Sequence, residues 1–181
     1  MKVVPTPLKD CYIIENTVFN DARGYFFESF NQQTFQKLTG LNVHFVQDNQ
    51  SKSTKGVLRG LHFQNGEFAQ AKLVRVLEGA VLDVAVDIRP DSETYGQHFS
   101  IELSAENNKQ FFVPRGFAHG FIVLSDTATF FYKCDNFYNK AAEGGILYND
   151  ASLNIHWGLT EQEYILSEKD LTQPLFSTLI K

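Results

Sequence analysis

Two histidines stand in settings that suit proton chemistry. His62 lies in Arg59-Gly60-Leu61-His62-Phe63-Gln64, where a guanidinium, an imidazole and an amide fall within six residues. The glycine among them lets the backbone approach a ligand or another chain segment. His119 follows a Pro/Gly turn in Pro114-Arg115-Gly116-Phe117-Ala118-His119-Gly120. An imidazole with its ordinary pKa of about 6.5 gives and takes protons near neutrality. Lys72 opens an apolar run, and Tyr132 shares one face with Ala128, Phe130 and Cys134 by alternation. Asp83 and Asp87 share a face with Ala85 in an otherwise apolar stretch. Singly, each has a plain structural explanation. Either histidine serves equally well as a hydrogen-bonded framework residue, Tyr132 as a core aromatic, and Arg59 as the partner of Asp83 or Asp87. As a set they require a polar interior, because unpaired buried charge is costly.

A metal centre is the first chemistry to weigh. Pro114-x-Gly116-x-x-His119 partly matches the second metal-binding motif of cupins, whose first motif wants two histidines one residue apart and a glutamate soon after. Here that pair is His62-x-Gln64, and the following acid, Glu67, sits one residue short. Zinc and iron sites usually take three or four protein donors, so two histidines are too few, and no metal is expected.

The elements that must carry these residues read as strands. In Ala71–Arg89, Leu82, Val84, Val86 and Ile88 alternate with Val81, Asp83, Ala85 and Asp87, which is period two. Leu73–Leu77 precedes it, with Glu78-Gly79 as a hairpin break. Further strands are expected at His98–Leu103, Gln110–Val113, Gly120–Leu124 and Ala128–Cys134, separated by turn-rich pieces. Short strands at this spacing indicate a sandwich or barrel. Helix signals are few: a short helix at Asn31–Leu38 with Asn31 as N-cap and Gly40 as stop, and one more turn or two at Thr160–Ser167 with Thr160 and Glu163 as a capping box. The expectation is an all-β jelly roll with a few short peripheral helices, in one domain over 1–181.

Composition agrees and sets limits. Seventeen Phe, seven Tyr and one Trp favour strands and a β core. A net charge of −5 provides no basic field for nucleic acid, so the cations that meet an anionic ligand must be local. Cys11 and Cys134 are far apart and read as reduced thiols. No apolar run reaches the ~18 residues of a membrane span, and the first residues, with two prolines and an aspartate, do not read as a signal peptide. A cytoplasmic protein without a membrane partner is expected.

Several separated blocks together resemble the dTDP-4-dehydrorhamnose 3,5-epimerase family, a cupin-type group of nucleotide-sugar epimerases. They are Asp21-Ala22-Arg23-Gly24-Tyr25-Phe26-Phe27-Glu28, Phe45–Ser51, Gly56–Gln64, Lys72–Val76, Pro114–Phe121, Gly144-Gly145-Ile146 with Asn149-Asp150, and Ser167-Glu168-Lys169-Asp170. They occur in family order and span nearly the whole chain. The resemblance implies a dTDP-linked 4-keto-6-deoxy sugar as substrate and no cofactor. It makes His62 the base that removes protons beside the 4-keto group, with Asp170 behind it. It makes Tyr132 the acid on the opposite face and Lys72 the stabiliser of the enolate oxygen. Arg59, His119, Gln47, Asp48, Asn49, Glu143 and Lys169 match substrate-binding positions. Arg23 and Glu28 match residues contributed by a neighbouring subunit, which implies a homodimer. The same resemblance extends to relatives that invert only C3 or only C5. A binding-only cupin and a metal-dependent oxygenase are the readings from other classes.

Overall fold

The structure, a computed structural model, describes residues 1–179. Its strands are β1 (Lys2–Pro5), β2 (Tyr12–Glu15), β3 (Phe19–Asp21), β4 (Gly24–Phe26), β5 (Gln47–Thr54), β6 (Leu58–Gln64), β7 (Lys72–Glu78), β8 (Ala80–Asp87), β9 (His98–Ser104), β10 (Lys109–Val113), β11 (Phe117–Val123), β12 (Thr127–Cys134) and β13 (Glu143–Gly145). They form a six-stranded sheet in the order β1-β2-β10-β7-β12-β5, a five-stranded sheet in the order β13-β6-β11-β8-β9, and a separate β3–β4 hairpin. Every pair within these sheets is antiparallel. This is the expected β jelly roll.

Alternation decides what each sheet face meets. Val74, Val76, Val81, Ala85, Phe111, Phe121 and Phe130 point inward and pack together between the sheets. The intervening Val84 and Val86 point outward and are covered by Leu153 and Trp157 of the C-terminal region. On the outer face of the six-stranded sheet, Leu73 and Phe112 are covered by Phe35 of helix α1 (Gln32–Thr39). Phe35 is fully buried, a contribution of about 1.5–3 kcal/mol relative to exposure. The α1 ends are those expected: Asn31 Oδ1 accepts the Thr34 N–H at 3.0 Å, and Gly40 ends the helix at φ 72°.

The turn or two expected over Thr160–Ser167 is shorter than that span. The Thr160–Glu163 capping box forms, but only a single 3₁₀ turn, Glu161–Glu163, follows it. The Ile165 N–H then donates to Gly56 O at 2.8 Å, and the Leu58 N–H donates to Ile165 O at 3.0 Å, which draws the chain into an extended bridge. The short helix of this region comes later, as α2 (Glu168–Leu171), capped by Ser167. Both cysteines are free and buried. Among the described residues no helix is long and apolar enough to cross a membrane.

Candidate active site

Strand pairing brings the two histidines together. On β6, His62 lies opposite Gly145 of β13 on one side and His119 of β11 on the other. The β6–β11 register shifts between His119 and Phe121, and the backbones there approach very closely. A Cβ on Gly60, at φ +135°, would lie 2.5 Å from the Gly120 Cα, and one on Gly120 would lie 2.7 Å from Arg59 O. Only glycine at both places lets the strands carrying the histidines meet in this way.

The six-stranded sheet faces them with Tyr132 and Lys72. Tyr132 pairs with Asn49 on β5 and Val74 on β7, and Lys72 pairs with Cys134 on β12 and Val113 on β10. His62, His119, Tyr132, Lys72, Arg59 and Asp170 line one cavity of about 510 Å³ between the sheets. His62, Lys72 and Tyr132 also line an adjoining recess of about 320 Å³ with Gln47, Asn49, Tyr138 and Glu143. The three therefore stand where two compartments meet.

Asp170 arrives from 108 residues away, on α2. Its Oδ1 lies 2.5 Å from His62 Nε2, and its Oδ2 accepts the Ser167 hydroxyl at 2.6 Å. Burial raises the pKa of this carboxyl, but hydrogen bonds from His62, Ser167 and the Gly60 N–H outweigh it and hold the group below its ordinary range. A carboxylate only accepts, so the His62 Nε2 carries the proton and Nδ1 is left as the nitrogen able to take one. Burial lowers the pKa of Lys72, opposed by Cys134 and Asp83, and Lys72 forms no salt bridge with any described residue. Burial and Cys134 raise the pKa of the Tyr132 phenol, opposed by Arg59, so it is a protonated donor at neutral pH.

The acids of β8 separate. Asp83 meets His119 Nε2 at 2.8 Å. Asp87 accepts from Arg89, Ser92 and Thr94 at 2.6–2.9 Å and serves the framework. Neither pairs with Arg59, whose Nε and Nη2 donate to Ser53 Oγ at 3.3 and 3.2 Å. Gln64, weighed as a metal-motif residue, is occupied: its amide donates to Phe68 O and Phe137 O, and its carbonyl accepts the Asn139 N–H. Among the described residues no three His, Cys, Asp or Glu side chains are grouped to hold a metal.

Three expected substrate contacts fall outside both the cavity and the recess. Asp48 is corrected by strand alternation. Its neighbours Gln47 and Asn49 line the recess, whereas Asp48 points to the opposite face and pairs with Lys133 at 3.0 Å. Arg23 is exposed at the β3–β4 turn and pairs with Asp21 at 2.6 Å. Glu28 is exposed and accepts the Asn31 amide at 3.2 Å. Lys169 and Glu143 pair at 2.7 Å at the cavity rim, and this hydrogen bond is the chief cause of the lowered Glu143 pKa. Among the polar lining residues, Tyr138 and Gln70 were not singled out by sequence reasoning, and Ser51 and Ser167 entered only as parts of family blocks. Ser51 was detectable as a polar residue two positions from Asn49, and Ser167 as an N-cap three residues before Asp170.

A jelly roll whose interior presents an imidazole backed by a carboxylate, a phenol and a lysine, all at one cavity, defines a cupin of the acid–base isomerase class. The family model described as dTDP-4-dehydrorhamnose 3,5-epimerase matches residues 5–178. The Salmonella typhimurium enzyme of that name is 55% identical over 175 residues, 97% of this chain and 95% of the relative. The crystal structure of dTDP-4-dehydrorhamnose 3,5-epimerase from Elizabethkingia anophelis is 65% identical, with a TM-score of 0.96 over 98% of this chain and 97% of that one. A Legionella pneumophila dTDP-6-deoxy-D-glucose-3,5-epimerase, solved in complex with dTDP-4-keto-L-rhamnose, is 48% identical with a TM-score of 0.94, covering 99% and 94%. The chain belongs to the dTDP-4-dehydrorhamnose 3,5-epimerase family and is an isomerase.

Proposed function

We propose that this cavity inverts C3 and C5 of dTDP-4-dehydro-6-deoxy-D-glucose, giving dTDP-4-dehydro-L-rhamnose. The observation that carries the assignment is the origin of the catalytic groups: His62 comes from the five-stranded sheet and Tyr132 from the six-stranded sheet, at one cavity. Inversion needs a base and an acid on opposite faces of the sugar, and opposite walls supply them.

His62 removes the proton beside the ketone, with Asp170 holding its tautomer and stabilising the imidazolium that forms. The electron pair moves onto the carbonyl oxygen, where Lys72 neutralises the enolate. Tyr132 returns a proton to the other face. No electrons are gained or lost overall, so no redox cofactor is called for. Arg59, with its Nη1 not engaged by Ser53, suits the diphosphate. Gln47, Asn49, Glu143, Lys169 and His119 complete the contacts. Arg23 and Glu28 act on the cavity of a second copy in a homodimer. The exposed aromatics of their hairpin region, Phe19, Tyr25 and Phe26 (61–70% accessible), support this reading. The setting is the cytoplasm, with no nucleic-acid or membrane partner.

Incubation with the dTDP-linked 4-keto-6-deoxyglucose in deuterated buffer, followed by proton NMR, tests the proposal. Deuterium at both C3 and C5 with both centres inverted is expected. Inversion at one centre alone would make the protein a mono-epimerase, and neither exchange nor inversion would leave only a binding role.

A further inference from the structure

His62 and Asp170 are 108 residues apart, yet both are held by one short segment, Glu143–Asp150. Its first half pairs with the strand of His62: Gly145 lies opposite His62, and Leu61 and Ile146 exchange backbone hydrogen bonds of 3.2 and 3.0 Å. Its second half holds the chain that follows Asp170. The Leu147 N–H donates to Pro174 O at 2.9 Å, and the Phe176 N–H donates to Asp150 Oδ2 at 2.7 Å. Asp150 is itself fixed, since its Oδ1 accepts the Ser152 N–H at 2.8 Å and the Ser152 hydroxyl at 2.5 Å. Asp150 is only 5% exposed and does not line the cavity.

We infer that Asp150 is a positioning residue for the His62–Asp170 pair. The inference rests on the catalytic reading of that pair. Asp170 is tied ahead by the Ile165 bridge to Gly56 and Leu58, and behind by Asp150. A carboxylate is required at 150 because both of its oxygens receive donors. Asparagine has the same shape but one acceptor, so its NH₂ must face either the Phe176 N–H or the Ser152 donors. Facing Phe176, the NH₂ breaks the tether behind Asp170; facing Ser152, it frees the side chain that anchors that tether, and either way the 2.5 Å contact that orients the imidazole is less firmly enforced.

The test is a double-mutant cycle read in steady-state kinetics and in deuterium exchange, well below the melting temperature of each variant. Asp150→Asn is expected to lower kcat about tenfold and to change KM less than about twofold, because the substrate contacts assigned to the strands, Gln47, Asn49, Arg59 and His119, stay in place. In an Asp170→Asn background the same change should cost less than about twofold, since a residue acting through Asp170 has nothing left to position. Equal losses in the two backgrounds, or a wild-type kcat in Asp150→Asn, would overturn the inference. If Asp150→Asn does not fold, Ser152→Ala removes one hydrogen bond to Asp150 and keeps the rest. It should lower kcat about two- to threefold in the wild-type background and leave Asp170→Asn unaffected. A normal rate in Asp170→Asn alone would instead remove the reading of the pair, and the tether's role with it.

Discussion

His62 and His119 are cross-strand neighbours, each with Nε2 against an aspartate, and yet the two pairs differ in access and in how the carboxylate is held. The His62 side chain is 35% exposed and His119 only 6%. Asp170 has both oxygens engaged and comes from a helix turn tied at either end. Asp83 lies on β8, the strand adjacent to His119, wholly buried, and its Oδ2 has no hydrogen-bond partner among the described residues. A base must reach a substrate carbon and recover its geometry after each proton transfer, which calls for access together with a fully satisfied partner. A buried pair with little access suits a fixed wall that orients a bound sugar. On the proposed assignment, similar residue pairs take different roles according to burial and to how the carboxylate is held.

The sharpest way to break this distinction is to delete each imidazole. His62→Ala should abolish both solvent exchange into the substrate and epimerisation, by at least the ~10²–10⁴-fold associated with a positioned base. His119→Ala should weaken binding while exchange persists at a reduced rate. Proton NMR in deuterated buffer reads exchange and stereochemistry in one tube. If His62→Ala exchanges at the wild-type rate and His119→Ala does not, the roles are reversed.

The next effect is on the opposite wall. Tyr132→Phe removes the hydroxyl and keeps the ring that packs beside Phe130, with centroids 6.0 Å apart. His62 remains able to take a proton and return a deuteron to the same face. Inversion should fall by about 10²-fold or more while exchange at C3 or C5 remains measurable. Normal inversion at both centres would mean that another group is the acid. A third expectation concerns binding: Arg59→Ala should weaken dTDP by about 1.5–3 kcal/mol, the range for a hydrogen bond to a charged group. Unchanged calorimetric affinity would make Arg59 a framework residue.

How much of this was legible in the sequence differs from strand to strand, within both sheets. The strands β7, β8, β9, β10 and β12 stood out because they bury an apolar face, and their observed ends lie within one or two residues of expectation. The start of β11 is three residues earlier than expected, because Phe117-Ala118-His119 follows a turn and reads as part of it. Strand β5, Gln-Asp-Asn-Gln-Ser-Lys-Ser-Thr, has no apolar residue at all and was visible only as part of a family block. Its inward face meets a polar cavity, so the period-two signal that hydrophobicity normally supplies is absent where the site is built. The Asp48 misplacement has the same cause: three consecutive residues of a strand cannot all face one cavity. The proximity of Asp170 to His62 depends on a long-range return of the chain that no local pattern encodes.

The smallest effect sharpens the comparison most, because it changes one atom in each pair. Asp170→Asn places an NH₂ where one carboxylate oxygen now accepts, among donors from His62, Ser167 and the Gly60 N–H. At least one donor then faces another donor, and the imidazole loses its charged partner. Hydrogen bonds to charged groups are worth about 1.5–3 kcal/mol, so kcat should fall about 10- to 100-fold. Asp83→Asn is gentler, since Asn Oδ1 can keep the contact with His119 while its NH₂ replaces the oxygen that has no partner. Its loss should stay within about threefold. The Asp170 pair also carries a pH signature. With its folded pKa lowered, Asp170 contributes stability that is fully present above the unfolded value of about 3.9 and is lost as pH falls through the folded value. Asp170→Asn should therefore remove part of the acid-side loss of melting temperature. Matched kinetics and thermal melts of the two variants between pH 3 and 7, the range about that value, decide the matter. Equal losses of kcat in Asp170→Asn and Asp83→Asn would show that both pairs take part in proton transfer, and that burial does not divide their roles.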